Sequence, residues 1–148
     1  VNIMNISKFG NDYLIKIYKE EIKDIDIYDI DDIYTLIKLI IKKIIKNNNI
    51  SGNYQINIYT NDIYGMIIEF NKIKENNYID LKINITIDSI FLYKTNSNYL
   101  NTNNTIYYYK NNYYILPKDN NINLLEVEEV LYGNIVKEIL SKGIKVKL

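Results

Sequence analysis

The chain has no cysteine, histidine, arginine, alanine or tryptophan, and only one proline and five glycines among its 148 residues. Each absence removes a class of function. Without cysteine there are no disulfides, no thiolate metal sites and no thiol nucleophile. Without histidine the usual general base and the commonest metal ligand are both missing. Without arginine the commonest bidentate contact to guanine is unavailable. Eighteen lysines balance eighteen acidic residues, so the formal net charge is zero. A nucleic-acid binder needs a basic excess to displace counterions from phosphate, and none is present. The five serines (Ser7, Ser51, Ser89, Ser97 and Ser141) lie outside any Gly-x-Ser-x-Gly context. The glycines form neither a Walker nor a dinucleotide-binding loop. No apolar run approaches the roughly 18 residues of a membrane span, and no basic patch leads into an apolar leader near Val1 or Met4. The cytoplasm is therefore the expected location, with no cofactor, no nucleic acid and no membrane partner.

What replaces the missing residues is isoleucine, asparagine and tyrosine, with 32, 24 and 16 copies. Together with lysine these have AT-rich codons, which points to a very AT-rich genome. Composition is discounted accordingly: an asparagine can be surface filler, and a lysine can stand where another genome writes arginine. Hydrophobic content of 47% and charged content of 24% are those of an ordinary globular chain. Apolar area is ample to offset chain entropy, so order is expected over disorder. The length suits one compact domain over 1–148.

Periodicity supplies the fold class. Tyr13, Ile15 and Ile17 alternate as a strand over Asn11 to Tyr18. Ile33, Leu36, Ile37, Ile40, Ile41, Ile44 and Ile45 fall on one face of a helix from about Asp31 to Lys46. Asp29 or Asp31 is placed to cap it, and Asn47-Asn48-Asn49 with Gly52 to end it. Tyr54, Ile56 and Ile58 then run into a turn at Asn61 to Gly65 and return through Met66, Ile68 and Phe70. Leu81, Ile83, Ile85 and Ile87 alternate with polar residues, as in an antiparallel sheet with one wet face. After an Asn/Ser/Thr-rich stretch at 95–105, a hairpin pairs Ile106–Tyr109 with Tyr113–Leu116 across Asn111-Asn112. Short helices are expected over Leu124–Leu131 and Asn134–Ser141, then a final edge strand through Ile144, Val146 and Leu148. The reading is α+β: antiparallel sheet with one long amphipathic helix (β-α-β-β-β, residues 1–94), then a β-hairpin, short helices and an edge strand (105–148). The stretch 95–105 is the natural seam.

Two clusters invite a functional reading. The acidic run Asp24, Asp26, Asp29, Asp31 and Asp32 lacks the glycine and glutamate of an EF-hand loop, because those positions hold Asp29 and Thr35. Solvation and the helix dipole account for it. The cluster Tyr107-Tyr108-Tyr109 with Tyr113-Tyr114 is more distinctive. Alternation sends Tyr107 and Tyr109 to one face and Tyr108 to the other, so one row packs inward and the other is free to meet a protein partner. Aromatics also simply stabilise hairpins.

Some local spellings resemble the bacterial MecA adaptor family. Gly52-Asn53-Tyr54-Gln55-Ile56-Asn57-Ile58 with Tyr64-Gly65-Met66-Ile67-Ile68 looks like that family's N-terminal hairpin. Thr105 to Ile115 looks like its C-terminal hairpin, and Glu129-Val130-Leu131-Tyr132-Gly133-Asn134-Ile135 is loosely similar to its Glu-Tyr-Gly segment. The chain departs from the family in being shorter, and in lacking the acidic linker and the Arg-Gly-Phe element. The resemblance implies a non-catalytic adaptor that delivers substrates to a Clp-type unfoldase. Two other expectations stand beside it: a phage or mobile-element inhibitor of a host complex, and a hydrolase using paired carboxylates.

Overall fold

The computed structural model describes residues 5–95, 104–118, 127 and 129–146. The chain divides into two compact units, Val1–Asp88 and Ser89–Leu148. This boundary lies N-terminal to the 95–105 stretch where the sequence suggests a seam, and residues 96–103 lie outside the described ones.

The first unit is built on its helix. Helix α1 spans Ile30–Asn48, and the Asp29 carboxylate accepts from the backbone N–H groups of Asp31 and Asp32. Asp31 and Asp32 themselves sit at the positive end of the dipole. Asn49 ends the helix in the left-handed conformation, φ 52° and ψ 49°, which asparagine tolerates better than most residues. The expected stripe is the buried face: Ile33, Leu36, Ile37, Ile40, Ile41 and Ile44. Each such burial stabilises by roughly 1.5–3 kcal/mol relative to exposure.

That face packs into one core with a five-stranded sheet. Its strands are β1 (Asn5–Phe9), β2 (Asp12–Tyr18), β3 (Gly52–Asn61), β4 (Gly65–Lys74) and β5 (Ile79–Thr86), in the order β1-β2-β4-β3-β5. A 3₁₀ turn, Lys19–Ile22, follows β2. Register aligns Tyr13, Ile15 and Ile17 of β2 with Phe70, Ile68 and Met66 of β4, and these with Ile56, Ile58 and Thr60 of β3. All are buried against the helix side. The opposite face carries amides: Gln55 donates to Asn57, Asn84 donates to Asn57, and Asn57 donates to Glu69, at 3.2, 3.3 and 3.4 Å. Ile67 shares that face and is nonetheless fully buried.

Two features depart from the sequence reading. Strand β1 has no counterpart in it, because this edge strand is mostly exposed and carries no apolar alternation. The second is β5, which the alternation assigns to an antiparallel sheet but which pairs in parallel with β3 over eight positions. After β4 the chain crosses the start of β3 and returns on its far side. Gly52 lies under this crossover: its N–H donates to the Tyr78 carbonyl at 3.0 Å. A Cβ there would sit 2.7 Å from the Lys74 carbonyl oxygen, and its φ is +116°. Glycine is required on both counts.

Among its described residues the second unit is an antiparallel sheet with one helix. Strands β6 (Leu92–Thr95), β7 (Thr105–Tyr109), β8 (Asn112–Leu116), β9 (Glu129–Leu131) and β10 (Ile144–Val146) run in the order β10-β7-β8-β6-β9. Helix α2 spans Asn134–Lys142 and stops at Gly143, close to expectation. The helix expected over Leu124–Leu131 is corrected at its end. Glu129–Leu131 is a strand, because Val130 and Leu131 pair with Tyr93 and Leu92 of β6. Apart from Val127, residues 124–128 lie outside the described ones. The final edge strand is present as β10, although Ile144 is 66% exposed instead of turned inward.

Candidate binding row on the tyrosine hairpin

The β7–β8 hairpin closes one residue earlier than the sequence suggests. Tyr109 pairs with Asn112, so the two turn residues are Lys110 and Asn111, with φ of 46° and 69°. Both positive values are what a two-residue turn matched to strand twist demands. Asn111 meets this cheaply; Lys110 does so at some cost in strain. The shift leaves the face of every tyrosine unchanged and changes its opposite number. Tyr108 faces Tyr113, and Tyr107 faces Tyr114.

One row belongs to the core. Tyr114 is 7% exposed and clusters with Leu92, Leu131, Val136 and Ile139, with Tyr107 and Tyr109 packed at the margin. Val136 and Ile139 come from one face of α2, at helical spacing, so the helix covers this side of the sheet. The Lys110 ammonium lies 5.2 Å from the centre of the Tyr109 ring.

The other row lies on the face away from α2. The Tyr108 and Tyr113 rings are 5.1 Å apart between centres and tilted by 51°, a favourable aromatic geometry. The Tyr108 hydroxyl donates to Asn111 Oδ1 at 3.0 Å, tying the ring to the turn. Ile144 stands directly opposite Tyr108 on β10, extending the row to the sheet edge. The neighbouring row of the same face is closed, with Ile106, Ile115 and Tyr93 all buried. On this face Ile144 is exposed and Tyr108 and Tyr113 are half-buried, with Val146 and Val130 half-buried at the two margins. Burial pushes the Tyr93 hydroxyl well above its ordinary pKa, so it stays protonated. The sequence nominates all five tyrosines and misses Ile144, whose place beside Tyr108 depends on a pairing thirty-six positions distant.

The first unit offers two polar constellations of a different kind. A groove is lined by Asn11, Asp12, Lys72, Ile73, Lys74 and Glu75. There the Lys72 ammonium meets Glu75 at 2.6 Å, and Asp12 accepts from the Lys72 N–H at 2.8 Å. The hydrogen bond to Glu75 raises the Lys72 pKa, so the ammonium is held charged and cannot serve as a base. Elsewhere Lys19 pairs with Asp62 at 2.9 Å, beside Tyr28. Burial first, then the Asp62 and Asp88 charges, raises the Tyr28 pKa.

The acidic run serves the helix and its lead-in. Asp29 caps, Asp26 accepts from the Tyr28 N–H at 2.9 Å, and Asp32 accepts from the Asp26 N–H at 3.2 Å. Among the described residues no three acidic side chains converge as metal ligands, and no helix is long and apolar enough to cross a membrane. Comparison with models of known protein families, with curated proteins and with solved structures finds no match for this chain.

Proposed function

We propose that this chain is a non-catalytic, protein-binding adaptor or regulatory protein that engages its partner through Ile144, Tyr108 and Tyr113. One observation carries the reading. Two half-buried tyrosines in ring contact and an isoleucine that is 66% exposed form an apolar row on the side of the sheet away from α2. Rigid aromatic area with polar tips binds proteins at low entropic cost. The missing histidine, cysteine and arginine weigh in the same direction, since they leave few groups suited to catalysis.

The sharper form of this reading is a MecA-like adaptor that presents substrates to a Clp-type unfoldase. Its support is the spelling of the two hairpins, Gly52–Ile68 and Thr105–Ile115. A pull-down from bacterial lysate tests both levels, with wild type compared against the triple variant Tyr108→Ser, Tyr113→Ser, Ile144→Ser. Recovery of a Clp ATPase by the wild type alone supports the MecA-like form. Recovery of another protein, again lost in the triple variant, supports the adaptor reading without it. A partner retained equally by both proteins places the binding surface elsewhere.

A further inference from the structure

The two edges of the first sheet are defended unequally. Strand β1 is five residues long and directs Lys8 to the helix side, opposite Tyr13. A charge on the inward face of an edge is a standard obstacle to further pairing. Strand β5 is eight residues long, with no proline, glycine or bulge, and every charge it bears lies on the wet face. Its inward residues Leu81, Ile83 and Ile85 are only partly buried against the core. Among the described residues no strand pairs with its outer edge.

We propose that a second copy of this chain pairs antiparallel along that edge, about a two-fold axis at Leu81, joining the two sheets into one. The register follows from self-complementarity. A closed symmetric interface needs each residue to suit its own symmetry mate or partner, and faces match only when apolar positions oppose apolar ones. An axis at Lys82 sets lysine against lysine. An axis at Ile83 sets Asp80 against Thr86 and Lys82 against Asn84, with no opposed charges. An axis at Leu81 sets Leu81 against Leu81, Ile79 against Ile83, and Asp80 against Lys82 twice. This last register makes two ion pairs and sets Ile79, Leu81 and Ile83 against one another, leaving Ile85 beyond the paired stretch. The formal net charge of zero adds no long-range repulsion between copies.

Charge exchange tests the register without disturbing the monomer. Asp80 and Lys82 are exposed, and their neighbours on β3 are the neutral Asn53 and Gln55. Sedimentation is measured up to about millimolar concentration for wild type, Asp80→Lys, Lys82→Asp and the double exchange, with circular dichroism confirming the fold. The wild type is expected to dimerise reversibly. Each single variant turns two attractions into two repulsions and is expected to weaken the dimer at least about tenfold. The double exchange is expected to restore it. A wild type that stays monomeric throughout overturns the proposal. So does a dimer indifferent to the single changes, or one that the double exchange fails to rescue.

Discussion

The Cβ that Gly65 lacks would lie 2.4 Å from the carbonyl oxygen of Ile17. Gly65 opens β4 between its two neighbours, opposite Tyr18 on β2 and Asn61 on β3. Its φ of +121° is a second obstacle to any side chain. Gly65→Ala must therefore push apart two backbones at the centre of the sheet. A loss of about 3 kcal/mol or more is expected from strain and displaced pairing. Chemical denaturation of the variant measures it, and a change below about 1 kcal/mol would mean this end of the sheet yields easily.

The helix face gives a paired test. Ile40 is 2% exposed and Leu39, its neighbour in sequence, is 55% exposed. Ile40→Asp places an unpaired carboxylate in the core, at a cost of several kcal/mol that a marginal domain does not survive. Leu39→Asp on the wet side should stay within about 0.5 kcal/mol. Thermal melting of the two variants should differ sharply; similar melting would put the wrong face inside.

These elements were legible in the sequence because their information is local. A 3, 4 spacing names the buried face of α1, the stretch Asn61 to Gly65 marks the β3–β4 turn, and the acids Asp29 and Asp31 mark the helix start without saying which of them caps. What stayed hidden depends on distant pairing. The alternation of Leu81, Ile83 and Ile85 reads the same whether β5 lies parallel or antiparallel, and only the crossover above Gly52 decides. The segment Glu129–Leu131 has a pattern that suits a helix as well as a strand, and β6 selects the strand. At the candidate site the alternation separates the two tyrosine rows. It cannot say which row α2 covers, nor that Ile144 extends the other.

The cap of α1 is a smaller, local effect. Asp29 Oδ1 accepts from the N–H of Asp31 at 2.9 Å and of Asp32 at 3.4 Å. Asp29→Ala leaves these donors to water and should cost about 1 kcal/mol, whereas Asp29→Asn or Asp29→Ser should recover most of it. Urea denaturation of the three variants distinguishes a cap from a purely electrostatic role, in which the neutral replacements would not rescue.

Alkaline pH should act through Tyr93. Its hydroxyl is held protonated by burial in the folded chain, while in the unfolded chain it ionises near pH 10. With the folded pKa above the unfolded one, stability is intact below about pH 10 and declines above it. Between the two values the unfolded state alone has lost the proton, giving a slope of about 1.4 kcal/mol per pH unit for this one group. Denaturation of wild type and Tyr93→Phe at pH 8 to 11.5 should show a shallower decline in the variant. Equal slopes would mean that Tyr93 ionises as readily in the folded chain.

The two tyrosine rows should separate cleanly in their effect on folding. Tyr114 fills the centre of the α2 cluster at 7% exposure, so Tyr114→Ser removes a ring from between Leu92, Val136 and Ile139. Aromatic deletions in a core cost about 3–5 kcal/mol, because the lost contacts are only partly replaced by relaxation. Tyr108→Ser removes a half-buried ring whose specific contacts are the Tyr113 ring at 5.1 Å and the Asn111 amide at 3.0 Å. Those contacts amount to about 0.5–1.5 kcal/mol for the pair of rings and a similar or smaller amount for an exposed hydrogen bond. Tyr113→Ser should match Tyr108→Ser, and the double variant should cost less than the sum, since the ring contact is lost only once. Denaturation of the four variants decides it. If Tyr108→Ser and Tyr114→Ser prove equally damaging, both rows are core and no tyrosine row is left for a partner.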